Sequence, residues 1–306
     1  MNPLVTIMIA TYNQPDYIRQ AVESCLNQDY ENLEVVVGDD STNNDNYEVL
    51  TPFLSNPKFK YFRNDTNLGR VKNYKKLLFE RATGDWSVML DGDDYYLDMS
   101  FISKAVWSIN KDKDIVLVAA GHLIYDEQQQ TKIAEQLVPE DIIFDGKEMF
   151  YKNIRMGQHS TDIYNRKLAI DLDFYRLDSM GTDSDGLYRL CLHGKVAYLS
   201  NIVVCWRIHN VNNTFNAEDA IKQMHEMVFI DKIYKYALDF IDKKTAVNWR
   251  RNFYKSMSYH VMTLAEKSGN PLYVFRVLKW AYKFWGRAET FNFVKRYVYS
   301  KLRRGK

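Results

Sequence analysis

The sequence predicts an α/β fold, a mainly parallel sheet flanked by helices, and three observations predict it. Short apolar runs rich in β-branched residues alternate with segments of helical periodicity through the first third of the chain. Three of those runs end in polar clusters, Thr11–Tyr12–Asn13, Asp39–Asp40–Ser41 and Asp91–Asp94, as expected of a sheet whose ligands gather at the carboxyl ends of its strands. The composition is globular: 306 residues, 46% hydrophobic and 26% charged, with 6 prolines and 13 glycines, enough to bury a full core and too apolar for disorder.

Each element follows in order. Residues 4–10, LVTIMIA, form a strand that stops at TYNQP, where Asn13 and Pro15 mark a loop and a helix start. A helix from about Pro15 to Asn27 places Ile18, Val22, Cys25 and Leu26 on one face. LEVVVGDDS is a second strand ending in two carboxylates, and a helix near 45–55 precedes the short strand FKYFRN. GRVKNYKKLLFERAT reads as a helix with Val71, Tyr74, Leu77 and Leu78 as its stripe and Gly84 closing it. WSVML is the next strand, and DGDDYYLD follows it directly. Residues 114–124 read as a strand, 168–175 are ambiguous, 185–193 are helical, and KVAYLSNIVVCWRIH makes one or two strands. From about Ala217 the pattern is helical and aromatic, which sets a boundary there: 1–216 as the sheet domain, with halves at about 1–98 and 99–216, and 217–306 as a helical extension.

Composition also excludes. Cys25, Cys191 and Cys205 are too few and too scattered for a disulfide framework or a CxxC metal site, and read as buried thiols. The N-terminus has no basic segment of the signal-peptide kind, and no run of about 18 apolar residues occurs, so a cytoplasmic location is expected. The net charge of +2 conceals a tail in which residues 270–306 hold ten Lys or Arg against Glu289 alone.

Asp91, Asp93 and Asp94 crowd like charges, which a fold tolerates when something neutralises them. Asp91 and Asp93, with Gly92 between them, offer hard oxygen donors suited to Mg²⁺ or Mn²⁺ rather than zinc, and a diphosphate is the natural guest of such an ion. The competing explanation is an acidic turn with a helix cap.

Three blocks, VTIMIATYNQPDYIRQAVESCLNQDYENLEVVVGDDST, NLGRVKNYKKLLFERATGDWSVMLDGDD and GTDSDGLYRLCLHGKVAYLSNIVVCWRIHNVNNT, resemble in order and spacing those of family 2 glycosyltransferases of the GT-A fold. The resemblance covers about residues 3–214. It implies a nucleotide-sugar donor, a divalent cation and inverting transfer. It also implies that Thr11, Tyr12 and Asn13 border the nucleotide, and that Asp40 or Asp39 accepts from a uracil or thymine N3–H. By the same resemblance Asn67 and Arg70 close over the nucleotide, with Arg70 placed to neutralise phosphate, Asp93 ligates the metal, Asp91 holds ribose or supports the metal, and His209 is a further metal or phosphate contact. The base is implied to be Asp183, with Asp185 competing because Thr182 stands where the family has Glu; a helix cap is the alternative role for Asp183. His159, Arg189 and Arg207 fall on the acceptor side, and the loops around 95–110 and 140–182 are expected to set specificity.

The expected activity is therefore transfer of a sugar, most simply from a UDP-sugar, to a glycan or lipid-linked acceptor in bacterial surface polysaccharide synthesis. A non-catalytic nucleotide-sugar-binding or assembly protein is the alternative. A nucleotidyltransferase is a weaker one, because ATYNQPDY lacks the Gly and Lys of a phosphate loop. Aromatics interleaved with cations over 271–306 read either as a helical subdomain or as a surface for an anionic membrane at the inner face of the cell membrane. Nucleic acid is not expected, and the helices of 217–265 are candidates for a homodimer contact.

Overall fold

The computed structural model describes residues 2–154, 156–209 and 220–304, and the chain divides into two compact units, Met1–Asn210 and Val211–Lys306. The boundary expected near residue 217, residues 210–214 of the third block and the last two residues of the basic tail lie outside the described residues.

The first unit begins with β1 (Val5–Thr11), α1 (Pro15–Leu26), β2 (Leu33–Asp39), α2 (Asp45–Leu50), β3 (Phe59–Arg63), α3 (Arg70–Lys76) and β4 (Trp86–Asp91). It continues through β5 (Tyr95–Tyr96), α4 (Phe101–Lys111), β6 (Ile115–Asp126), β7 (Thr131–Glu135), β8 (Ile142–Asp145) and α5 (Glu148–Tyr151). It closes with β9 (Ile163–Asn165), α6 (Arg166–Asp171), α7 (Thr182–Cys191) and β10 (Lys195–Ile208). One ten-stranded sheet runs β3-β2-β1-β4-β9-β6-β10-β5, with β7 on β6 and β8 on β10. Its three longest pairings, β6 with β10 and β1 with β2 and β4, are parallel, while β9 enters antiparallel between β4 and β6. This is the flanked, largely parallel sheet that the sequence predicted.

β1 and β2 are buried at every position, so they read as unbroken apolar runs instead of alternating ones. Ile7, Ile9, Val35, Val37, Val88 and Leu90 pack with Ile18, Val22 and Cys25 of α1 and with Phe101, Ile102 and Ala105 of α4 in one core. All three cysteines are buried and free.

Four local expectations change. The region 95–110 is largely the helix α4 rather than a loop. The ambiguous 168–175 is the end of α6 followed by a turn. KVAYLSNIVVCWRI is a single strand with register shifts between Tyr198 and Ile202 and between Ile202 and Val204. Gly84 does not close the helix that begins at Arg70, which passes through a π turn at Leu77–Arg81 and leaves at Ala82; a Cβ on Gly84 would stand 2.7 Å from Thr6 Oγ1, so that glycine serves a close approach to β1.

The second unit consists, among the described residues, of α8 (Ala220–Glu226), α9 (Phe229–Ala237), α10 (Lys243–Lys267) and α11 (Pro271–Arg304). Asp242 caps α10 by accepting from the Thr245 amide at 3.0 Å. α11 is broken at Gly286, whose φ of 77° is a left-handed conformation that glycine adopts without steric cost. α10 and α11 join through Tyr254 stacked on Phe284, ring centroids 4.5 Å apart, and through Trp285 Nε1 donating to Ser258 Oγ at 2.6 Å. No helix among the described residues is long and apolar enough to cross a membrane.

Candidate functional site

The carboxyl ends of β1, β2 and β4 are adjacent because β1 sits between the other two, and this topology gathers the three polar clusters. At the end of β1, Thr11 is buried, while the Tyr12 ring is 49% exposed beside it. Asn13 turns the chain at φ 50°, tied down by its amide donating to Ser41 Oγ at 2.8 Å and its side chain exchanging bonds with Thr42.

Asp39 and Asp40 end β2 in different ways. Asp39 is fully buried: one oxygen accepts from the Ser41 amide, Ser41 Oγ and Asn46 Nδ2, and the other from the Tyr61 hydroxyl at 2.5 Å. Asp40 organises the next loop, accepting from Asn64 Nδ2, the Leu68 amide at 2.8 Å and the Gly69 amide at 2.8 Å. Asn67 lies on that loop, donating to the Asp40 carbonyl at 3.3 Å, and Arg70 opens α3 with its guanidinium 5.8 Å from the Tyr74 ring centroid.

The acidic turn follows β4. Asp91 accepts from the Tyr74 hydroxyl at 2.6 Å and lies 3.1 Å from His159 Nε2. Burial pushes the Asp91 carboxyl up, but the charge and hydrogen bond of His159, the Tyr74 hydroxyl and Arg70 outweigh it and hold the group at about 2. Burial likewise presses the His159 pKa down, and the charge and hydrogen bond of Asp91 overcome that and raise it. Gly92 is needed here: a Cβ on it would lie 2.8 Å from Cβ of Thr11.

Asp93 Oδ2 and His209 Nε2 stand 2.9 Å apart, both groups nearly buried. Burial and the Asp91 charge raise the Asp93 carboxyl in spite of His209; for Asp94, burial first and then Asp93 and Asp91 drive it well above the usual carboxylate range. Asp94 accepts from the Arg207 amide at 2.9 Å. The separation of Asp93 and His209 matches that of two neighbouring donors around one octahedral divalent ion, about 3 Å. Residues and ion therefore fit. Among the described residues no three His, Cys, Asp or Glu side chains converge as a closed metal cage.

On α7, Asp183 lies in the first turn and Gly181 holds the cap position, where no side chain caps the helix. Asp183 is half-buried and acts electrostatically on Arg70, Tyr74 and His159, which puts its charge beside the acidic turn. Asp185 is different. It is fully buried and bound by Arg176 at 2.8 and 2.9 Å and by Arg189 Nε at 2.9 Å. Arg189, 1% exposed, also donates to the carbonyls of Leu172, Asp173 and Phe174, so this pair anchors α7 on the turn before it. Arg207 is buried as well, with its guanidinium on the Asp93 carbonyl at 2.7 Å, on Gln20 and, 3.7 Å away, on Glu127.

The structure thus brings Asp91, Asp93, His209, His159 and Arg70 into one neighbourhood with Asp183, and places Asp185, Arg189 and Arg207 in supporting networks. Sequence reasoning missed three supports. Tyr74, read only as part of an apolar stripe, holds Asp91. Tyr17 stacks on His209 with ring centroids 4.7 Å apart and donates to Glu127 at 3.0 Å. Asn46, fully buried, links Thr11, Asp39 and Ser41. Tyr at such positions carries the one available signal, a polar tip on a residue otherwise suited to the core.

Residues 6–173 match the family model described as Glycosyl transferase family 2. An uncharacterised glycosyltransferase of Haemophilus influenzae is 34% identical over 94 residues, 30% of this chain and 37% of that protein. The chondroitin synthase of Pasteurella multocida is 26% identical over 235 residues, 74% of this chain and 23% of that protein. This chain therefore spans well under half the length of these two curated relatives. Among solved structures, TarS of S. aureus in complex with UDP superposes with a TM-score of 0.61 at 19% identity, over 82% of this chain and 70% of that one. A mannosyltransferase from Pyrobaculum calidifontis, in complex with GDP-Man and Mn²⁺, gives 0.60 at 16% identity, over 99% and 81%. These likenesses show the GT-A fold.

Proposed function

Because the chain belongs to glycosyl transferase family 2, we propose that it moves a sugar from a nucleotide-sugar donor, read here as a UDP-sugar, to a glycan or lipid-linked acceptor with inversion at the anomeric carbon. Surface polysaccharide synthesis is the setting this favours, and the likeness to a chondroitin synthase supports it.

Tyr12 offers an exposed ring to the base, and Asp40, which retains a free acceptor position beyond its three bonds, takes the N3–H; fully buried Asp39 supports the turn instead. Asn67 and Arg70 cover the phosphates, Arg70 as the cation. Asp93 and His209 hold Mn²⁺ or Mg²⁺ with Asp91 alongside, and the ion, when bound, supplies a Lewis acid to the diphosphate leaving group. Asp183 accepts the proton of the acceptor hydroxyl as that oxygen bonds to the anomeric carbon and the bond from sugar to diphosphate breaks. His159, fixed by Asp91, lies on the acceptor side.

The observation that carries this reading is the Asp93–His209 pair, 2.9 Å apart beside Asp91, with the Asp183 charge acting on the same Arg70 and His159. The test is Asp183→Asn, which should abolish transfer while Mn²⁺-dependent UDP binding, followed by calorimetry, persists. A wild-type protein that binds UDP yet transfers to no acceptor would assign the chain to nucleotide-sugar binding or assembly.

A further inference from the structure

The aromatic and basic helix α11 divides its side chains into two sets. Val274, Val277, Ala281, Trp285 and Phe293 are buried within the second unit, and Trp285 is fastened to Ser258. Leu272 at 68%, Phe275 at 66%, Tyr282 at 45% and Phe291 at 68% are exposed. If the helix were only a subdomain wall, its solvent face would carry the cations and its aromatics would turn inward. Instead, before the break at Gly286, exposed Leu272, Phe275 and Tyr282 share a flank with exposed Arg276, Lys279 and Lys283, since spacings of three and four residues put them one turn apart, and beyond it exposed Phe291 lies one turn from exposed Arg287. The lone acid of residues 270–306, Glu289, is engaged by Lys255 at 2.6 Å and does not dilute that charge.

We propose that this outward flank of α11 docks the protein on the surface of an anionic lipid bilayer. Large side chains that protrude among cations gain from entering the headgroup and acyl boundary, while the cations meet lipid phosphates. The pairing is what singles out a bilayer. An acidic protein surface or a free polyanion satisfies the cations and leaves Leu272, Phe275 and Phe291 in water, and a neutral bilayer does the reverse. The left-handed break at Gly286 lets the two stretches of α11 take separate directions, so both do not have to lie along one straight line. The proposal does not depend on the catalytic reading above.

Flotation of the full chain with phosphatidylcholine vesicles, with and without added phosphatidylglycerol, tests it. The protein should float with the anionic vesicles at low salt and stay behind with the neutral ones. F275E/F291E, which alters two exposed positions, should keep the wild-type melting temperature and lose anionic-vesicle binding. F275S/F291S, free of added charge, should weaken it. K279Q/K283Q should lower the partition coefficient by roughly thirtyfold, with apolar insertion still present. The proposal is overturned if the wild-type chain remains unbound to anionic vesicles at low salt, or if both Phe variants bind as tightly as wild type. Equal binding to neutral vesicles overturns it too, as does retention on heparin without any flotation.

Discussion

At the amino-terminal end of β2, Glu34 is 5% exposed and surrounded by donors: Thr6 Oγ1 at 2.5 Å, the Thr83 amide at 2.6 Å, Lys60 Nζ at 2.6 Å and Thr83 Oγ1 at 2.9 Å. At the opposite end of the sheet, Asp93 and Asp94 are 9% and 2% exposed and face other carboxylates. Burial raises all three groups, yet for Glu34 the Lys60, Thr6 and Thr83 bonds outweigh it and bring the carboxyl below its usual range, whereas like-charge repulsion adds to it for Asp93 and Asp94. Burial alone does not make an acid structural or functional. Where donors surround an acid the group holds strands together; where acids face one another, their repulsion favours a positive charge nearby.

Four measurements sharpen or break that contrast. The largest effect is expected from D183N, which should lower transfer by about a thousandfold, the scale of a lost general base, with little change in melting temperature. Near-normal turnover would remove Asp183 from the chemistry. Next, D93N should weaken Mn²⁺-dependent UDP binding by at least about a hundredfold. In chelator its melting temperature should be equal to or above that of wild type, because a charge beside Asp91 and Asp94 is gone. A marked loss of stability in chelator would show that Asp93 belongs with Glu34 as a structural acid. Third, E34Q should cost about 1–3 kcal/mol in urea unfolding, since Lys60 and three donors lose their charged partner, and UDP binding should be retained. The smallest effect is one of pH. The folded-state pKa of Glu34 is depressed, so its contribution is present above the unfolded carboxylate value of about 4.3 and fades as pH falls through the depressed folded one. The stability gap between wild type and E34Q should therefore be constant near neutrality and narrow below about pH 4. A gap that widens in acid would reverse the assignment.

Much of the amino-terminal half of the sheet domain was legible because its signals are local. β1, β2 and β4 are continuous buried runs, α1 begins with a proline in its first turn, and the carboxylates stand where those strands end. β5, β8 and β9 have two to four residues and exist through pairing with distant partners, β9 with β4 and β6 and β5 with β10, which no short window records. The site divides along the same line. Asp93 and His209 meet although 116 positions separate them, and Asp91 acts electrostatically on Asp93. Asp183 was implied as the base, with Asp185 a competitor two letters away. What separates them is tertiary: Arg176 and Arg189 close over one and leave the other half-open. Glu34 passed as one polar residue in an apolar strand, because its partners Thr6, Lys60 and Thr83 come from three other segments.

The glycine between Asp91 and Asp93 has a mechanical consequence. The turn after β4 passes Thr11 with less than a methyl group of clearance, so any side chain at position 92 would press on the end of β1 and on the residue just before Tyr12.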